Sequence, residues 1–262
     1  MYAPVPLVTV DASILSSYGK TGTGGPRAEL TPLYKLGKAG VCVEEVTLAT
    51  KKLNDACLAA GADFRITEMH RDVGVQALAR AKYERWDAAG RPKPGTAAFN
   101  TKTMKAAYVA LPGRSGHNAG RSIDVDTGKL VFPSVASNLQ LDKLWEIAKA
   151  LGWRPVIKEA KEGSSESWHL DYPGELSGVM TRLGYEQWAI CGALLVGHGD
   201  MDDFDAVVQA CLCRAGFNIG KIDGDPGPKT RAALEEAVGG GVAALAARDE
   251  YLFDALLALP AK

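Results

Sequence analysis

The 262-residue sequence has little net charge, few cysteines and no long apolar run. Its formal charge is −1, and acidic and basic residues are mixed along the chain, so no basic stripe indicates a nucleic-acid partner. No stretch approaches the roughly 20 apolar residues that a membrane-spanning helix needs. The five cysteines are odd in number and include no Cys-x-x-Cys pair, which is typical of small buried hydrophobes in a reducing compartment.

The N-terminus lacks the features of a secretory signal. Residues 1–10 contain no basic segment, and prolines interrupt their apolar residues. We therefore expect a protein that is made in the cytoplasm without a signal peptide. Residues 1–41 are rich in Gly, Pro, Ser and Thr and are interpreted as an N-terminal extension.

Histidine is also scarce, with four residues: His70, His117, His169 and His198. Asp124 follows His117 closely along the chain, and Glu166 lies just before His169. Two histidines and one carboxylate are a complete protein ligand set for a catalytic zinc ion, whose fourth position stays open for water. Glu166 is then free to take the proton from that water. The sequence thus predicts a site for one zinc ion with a base beside it.

The local pattern is compatible with a shared site. Residues 122–126 alternate polar and apolar side chains, as a half-buried strand does, so Asp124 and Asp126 face one side and either could bind the metal. In a regular strand, residues three apart point to opposite faces. Glu166 and His169 can therefore share a site only if the backbone bends, and we place Glu166 in the loop that leads into the His169 strand.

The spacing of these residues resembles the signature of a known family. The motif reads Pro112-Gly-x-Ser115-x-His117-x-x-Gly120-x-x-x-Asp124, followed by Glu166-x-Trp168-His169. It is similar to that of VanY-type D-alanyl-D-alanine carboxypeptidases, whose zinc peptidase group includes L-alanyl-D-glutamate endolysins of bacteriophages. The resemblance implies that His117, Asp124 and His169 hold one zinc ion and that Glu166 is the catalytic base.

An upstream segment extends the resemblance. Residues 70–76 read His-Arg-Asp-Val-Gly-Val-Gln, with the arginine-to-glutamine spacing of the family's Tyr-Arg-Ser-x-x-x-Gln element. Arg71 then matches an arginine that steadies the oxyanion or binds a substrate carboxylate. Gln76, Ser115 and Trp168 are the candidate substrate contacts, although Trp168 could instead belong to the core.

The apolar periodicity predicts a mixed α+β fold. Helices are expected over residues 44–60, 75–89, 138–151 and 174–195, and short strands over 63–68, 122–126, 129–133 and 153–157. The 129–133 strand is interpreted as the return arm of a hairpin. This order indicates a small antiparallel sheet that carries the zinc site, within a catalytic domain at residues 42–195. Residues 196–202, which include His198, are interpreted as a solvated linker.

The composition changes after residue 202 and predicts a small three-helix domain at residues 203–262. Helices are expected over 204–215, 228–238 and 242–259. The domain resembles the peptidoglycan-binding module found beside many wall hydrolases. The matching residues are Gln209, Leu212, Gly216-Phe217, Ile222-Asp223-Gly224, Gly227 and Thr230. The resemblance implies peptidoglycan as the partner.

Together these features predict a zinc-dependent peptidoglycan peptidase of the phage endolysin type, acting on the bacterial cell wall. Two alternatives remain. One is a D-alanyl-D-alanine carboxypeptidase, and the other is a wall-binding phage protein without catalysis, which would not need Glu166. The sequence leaves open which stem-peptide bond is cleaved.

Overall fold

The computed structural model describes residues 2–10, 40–106, 108–158, 166–199 and 203–262, so most of the predicted N-terminal extension lies outside it. Within this part of the chain there are six strands: β1 (Leu7–Thr9), β2 (Val41–Val43), β3 (Ile66–Glu68), β4 (Ser122–Val125), β5 (Arg154–Pro155) and β6 (His169–Asp171). The helices of the same part are α1 (Glu44–Ala59), α2 (Val73–Ala88), α3 (Gln140–Ala150), α4 (Ser177–Leu183), α5 (Tyr185–Leu195), α6 (Phe204–Arg214), α7 (Pro228–Ala237), α8 (Gly241–Ala247) and α9 (Tyr251–Leu257). The predicted α+β class is confirmed.

Two antiparallel sheets form the N-terminal part of the fold. β1 pairs with β2, and the strands of the larger sheet are arranged β3–β4–β6–β5. In the larger sheet, Asp124 of β4 is the register partner of His169 of β6, and Ser122 is the partner of Asp171. Strand pairing itself therefore brings a predicted metal-binding carboxylate next to a predicted metal-binding imidazole.

One apolar core lies between the larger sheet and two helices. The buried stripe of α1 consists of Val46, Ala49, Leu53 and Cys57, together with Thr50. Most of this stripe packs with Ile123 of β4, Leu170 of β6 and Leu144 of α3. Because side chains alternate along a strand, Ile123 and Leu170 enter the core while Asp124 and His169 point to the opposite face.

The second apolar core is formed by the C-terminal helices. α5 and α6 are buried along most of their length and pack with α4, α7, α8 and α9. This core begins at Leu176, immediately before α4, and continues to Leu256 in α9. Packing thus groups α4 and α5 with the C-terminal helices, whereas the sequence-based division assigns them to the catalytic domain. The division into domains stays a prediction.

The cysteines agree with the expectation from the sequence. All five cysteines are buried and free of disulfides, as predicted for small hydrophobes. Burial raises the pKa of the Cys57 thiol to about 12, so it stays protonated at neutral pH. In the described ranges, no helix is both long and apolar enough to cross a membrane.

The predicted hairpin arm at residues 129–133 is wrong. Both edges of β4 are already paired, with β3 and with β6, so no edge is left for a return strand. Phe132 is buried outside any strand, and the side chain of Gln140 satisfies its backbone. Gln140 accepts from the Phe132 N–H at 2.6 Å and donates to the Phe132 carbonyl at 3.2 Å.

The single helix predicted for residues 242–259 is two helices, α8 and α9. Arg248 adopts the left-handed conformation, with φ of 53°, and ends α8. The N–H of Arg248 bonds the Leu245 carbonyl, and the N–H of Asp249 bonds the Ala244 carbonyl, which together form a Schellman turn. Four helices rather than three therefore follow residue 202 in the described chain.

A buried arginine connects the two cores. The Arg121 side chain, directly before β4, is 1% exposed and forms ion pairs with Glu45 of α1 and with Glu175, which precedes α4. Glu175 also pairs with Arg214 of α6 at 2.7 Å. Arg121 further donates to the carbonyl of Pro173 at 3.2 Å. These charges are paired only when the sheet and the C-terminal helices are packed together.

Replacing Arg121 by alanine should lower the free energy of unfolding by about 3 kcal/mol, because the partly buried Glu45 would lose its counter-charge and Glu175 would keep only Arg214. The control Lys143→Ala removes a surface ion pair with Glu146 and should leave unfolding close to that of the wild type. Urea unfolding followed by circular dichroism measures both. Similar effects in the two variants would contradict the role assigned to Arg121.

Candidate metal centre

The three side chains predicted to bind the metal converge at one point. His117 Nε2 lies 3.2 Å from Asp124 Oδ1 and 3.1 Å from His169 Nδ1. The distance from His169 Nδ1 to Asp124 Oδ1 is 3.1 Å. All three residues are buried, and among the residues that the structure describes they are the one group found that could hold a metal ion.

The turn that carries His117 depends on two glycines. Gly120 has φ of 64°, a left-handed conformation that an L side chain rarely adopts, and a Cβ there would lie 2.7 Å from Leu7. A Cβ on Gly116 would lie 1.9 Å from the Ser122 hydroxyl and 2.7 Å from the Asp171 carboxylate. The chain can therefore bring His117 this close to β4 and β6 only with glycine at both positions.

Each imidazole is oriented by a hydrogen bond on its other nitrogen. His117 Nδ1 lies 2.5 Å from the carbonyl oxygen of Met69, and since a carbonyl only accepts, Nδ1 donates. His169 Nε2 donates to Asp171 Oδ1 at 2.9 Å, and the Ser122 hydroxyl donates to the same oxygen at 2.5 Å. In the neutral form, both rings then direct a nitrogen lone pair at the common centre.

This donor set fits a divalent metal ion. Without a cation, three lone pairs only 3.1–3.2 Å apart would repel one another in a buried site. Ligands bound at about 2.0–2.1 Å around a tetrahedral zinc ion lie about 3.3 Å apart, close to these distances. Histidine nitrogen and carboxylate oxygen are also the ligand types that zinc accepts.

The electrostatics of the centre also favour a cation. Burial alone would raise the pKa of Asp124, but His117 and His169 hold that pKa well below its usual range. Burial alone would lower the pKa of His169, but Asp171 and Asp124 raise it well above its usual value. The site therefore attracts positive charge, which either a proton or a metal ion can supply.

Asp126, the alternative ligand left open by the alternating pattern, is not part of the group. It follows the end of β4, and its carboxylate lies 3.4 Å from the ammonium of Lys129. The structure thus brings Asp124, and not Asp126, to the two histidines.

Glu166 lies beside the centre because the backbone bends, as the sequence required. It has φ of 68°, an uncommon left-handed conformation for a residue other than glycine. The N–H of His169 bonds the Glu166 carbonyl at 3.1 Å, which closes a turn directly before β6. This turn places Glu166 Oε2 4.0 Å from His169 Nδ1.

Arg71 is held by two side chains. Its Nε and Nη2 each donate to the Glu68 carboxylate at 2.7 Å, and its Nη1 donates to Gln76 Oε1 at 2.7 Å. Gln76 in turn donates to the Ala110 carbonyl at 2.7 Å. Sequence reasoning missed Glu68, whose position at the end of β3, three residues before Arg71, was the available signal.

A cavity of about 240 Å³ opens onto the centre. Its walls include the three candidate ligands, Glu166, Arg71, Gln76, Ser115 and Trp168, together with Lys105, Tyr108, Val109, Ala110, Val156 and Tyr185. The predicted substrate contacts therefore share one cavity, called the metal cavity below. Trp168 is half-buried in its wall. The sequence reasoning did not anticipate Lys105, Tyr108 or Tyr185.

The other two histidines lie outside the metal-binding group. The rings of His70 and His198 are in edge contact, with centroids 4.3 Å apart, and His198 Nδ1 lies 3.6 Å from the Asp72 carboxylate. Burial lowers the pKa of His198, although Asp72 opposes this. His198 is thus packed against the fold, which corrects its interpretation as a solvated linker residue.

Comparison with protein families identifies the class. Residues 42–175 match the family model of VanY, D-alanyl-D-alanine carboxypeptidase. Because this span is more than half of the 262 residues, the chain belongs to the VanY family. Family membership makes it a peptidase that acts on bacterial peptidoglycan. A search of curated proteins gives no match.

Replacing His117 by alanine should abolish the stoichiometric binding of one divalent metal ion, because one of three convergent donors is removed. The control His198→Ala lies outside the group and should bind the ion like the wild type. Competition with a chromophoric chelator measures both affinities. Unchanged affinity in His117→Ala, or its loss in His198→Ala, would contradict the ligand assignment.

Replacing Asp171 by asparagine should weaken metal affinity at least about tenfold, because an amide is a weaker acceptor for the His169 Nε2 proton. The same substitution at Asp126, outside the ligand group, is the matched control and should have no effect. A metal titration by calorimetry compares the two. Unchanged affinity in Asp171→Asn would contradict its role in orienting His169, and weaker affinity in Asp126→Asn would contradict the assignment of Asp124 as the ligand.

Proposed function

We propose that the protein is a zinc-dependent peptidase that hydrolyses a peptide bond in the stem peptide of peptidoglycan. The observation that carries this proposal is the convergence of three buried electron-pair donors beside the carboxylate of Glu166. The same arrangement opens onto the metal cavity, where a peptide can approach. A wall-binding protein without catalysis would need the metal ligands but not Glu166.

Each residue of the site would have its own role in the proposed reaction. A bound zinc ion would supply Lewis acidity toward water and the scissile carbonyl. Glu166 would accept the proton of the attacking water and later deliver it to the leaving amine. His117, Asp124 and His169 would hold the ion, and Asp171 would keep His169 in the required tautomer.

Arg71 would donate hydrogen bonds to the carbonyl oxygen as negative charge develops on it. Glu68 and Gln76 fix the guanidinium before substrate binds, so little reorganisation is needed. Glu68 offsets the charge of Arg71 in either role, so these contacts do not distinguish oxyanion stabilisation from the binding of a substrate carboxylate.

Two stem-peptide bonds are candidates. The description of the matched family favours removal of the terminal D-alanine. The C-terminal helices, which resemble a peptidoglycan-binding module, favour an endopeptidase held on the polymer, as in phage endolysins. Our leading proposal is the endolysin type, with the carboxypeptidase as the second candidate.

Three motif residues of the proposed peptidoglycan-binding module, Gln209, Asp223 and Gly224, form one hydrogen-bonded unit. Gln209 is buried, and its amide oxygen accepts from the N–H groups of Asp223 at 3.0 Å and Gly224 at 2.8 Å. Its amide nitrogen donates to Asp223 Oδ1 at 3.0 Å and to the Asp225 carbonyl at 3.1 Å. These residues therefore shape the loop between α6 and α7, which supports the resemblance at the level of the fold.

Replacing Glu166 by glutamine should lower turnover about 10³-fold, because the base is lost, while zinc still binds. The control Glu146→Gln changes an exposed carboxylate of α3 and should leave turnover unchanged. Purified peptidoglycan is incubated with each zinc-loaded protein, with and without a chelator, and the released ends are identified by mass spectrometry.

New L-alanine carboxyl and D-glutamate amino ends would identify the endopeptidase, and release of D-alanine alone would identify the carboxypeptidase. If the wild type gave no chelator-sensitive product, the catalytic proposal would fail.

A further inference from the structure

A helix beyond the matched family region contributes to the metal cavity. The family match ends at residue 175, whereas α5 begins at Tyr185. Tyr185 lines the metal cavity together with Glu166 and the ligands His117 and His169. The wall of the candidate active site is therefore completed by a helix most of whose buried residues belong to the C-terminal core.

Contacts with the His117 turn hold the start of α5 in place. Glu186 pairs with Arg114 at 2.5 Å. The Trp188 ring packs against Gly116 so closely that an added Cβ would lie 3.0 Å from it. Tyr185 also packs on Trp188, with ring centroids 5.3 Å apart. The position of Tyr185 is thus fixed relative to the residue that precedes His117.

The chemistry of the Tyr185 hydroxyl suits a neutral hydrogen-bond donor. The residue is 38% exposed and lines the metal cavity, so a molecule bound there can contact its side chain. Burial and then Asp171 raise the pKa of Tyr185 well above its usual value, so the hydroxyl keeps its proton at neutral pH. A protonated phenol has one O–H to donate to a partner in the cavity.

We propose that Tyr185 donates this hydrogen bond to a carbonyl or carboxylate oxygen of the bound stem peptide and so positions the substrate. The assignment rests on the proposed function, because it takes the peptide in the metal cavity as the ligand. It adds to the site a side chain from outside the family region. Glu166 lines the same cavity, so a neutral donor there binds an anionic or carbonyl oxygen without adding a second negative charge.

The role of Tyr185 is tested by two separate measurements, peptide binding and turnover, in the full-length, zinc-loaded protein. The ligand is muramyl pentapeptide, which contains both candidate bonds. Calorimetry on the Glu166→Gln background, with and without Tyr185→Phe, should show about tenfold weaker binding without the hydroxyl. In the active protein, Tyr185→Phe should raise KM about tenfold and leave kcat within about twofold. The control Tyr251→Phe, in a residue of α9 that is 80% exposed, should behave as the wild type.

The outcomes separate this inference from the proposed function. Equal peptide affinity with and without the Tyr185 hydroxyl would overturn the inference. So would a lower zinc affinity or melting temperature in Tyr185→Phe, because Tyr185 would then only support the Gly116 turn. If the wild type bound the peptide but did not cleave it, the proposed function would fail, and the binding comparison would still decide the role of Tyr185. Absence of any peptide binding would overturn both.

Discussion

The burial of three electron-pair donors at one point is the constraint on which the rest of the structure depends. A buried carboxylate is costly unless a positive charge and hydrogen bonds compensate it. The Met69 carbonyl and the Asp171 carboxylate use the outward nitrogens of His117 and His169, so the inward nitrogens cannot compensate Asp124 as neutral groups. A bound metal ion would compensate all three donors, whereas a proton would compensate them only in part. Metal binding and folding of the β4–β6 pair would therefore be coupled.

The apolar core decides the geometry of the metal centre. In β4 and β6, Ile123 and Leu170 are register partners in the core, and their neighbours Asp124 and His169 are partners on the other face. A shift by one residue would exchange the two faces, bury the polar side chains in the core and separate the ligands. The hydrophobic effect thus enforces a register that the ligands, which repel one another without a cation, could not enforce. Arg121 adds to this by anchoring the start of β4 to charges on α1 and before α4.

The convergence of His117, Asp124 and His169 could be predicted because the information is local. Histidine is rare in this chain, and the spacings around His117 and His169 restrict what these residues can do. The bend at Glu166 could also be predicted, since no straight strand presents Glu166 and His169 on one side. Glu68 was missed although it lies only three residues before Arg71. The position of Tyr185 in the metal cavity could not be predicted, because it depends on how a distant helix packs. The hairpin at 129–133 failed for the same reason: alternation predicts a strand, but it does not show that β4 has no free edge.

The packing of the C-terminal helices changes how a wall-binding function would operate. A module on a flexible linker raises the local substrate concentration without fixing geometry. Here, residues 196–199 lie against the fold, with Val196 buried and the His198 ring on His70. Glu175 and Arg214 share the charge network of Arg121, and α5 supplies a wall of the metal cavity. A glycan strand held on these helices would therefore reach the metal at a distance set by the fold, so the C-terminal helices could restrict which stem peptides are cleaved as well as concentrate them.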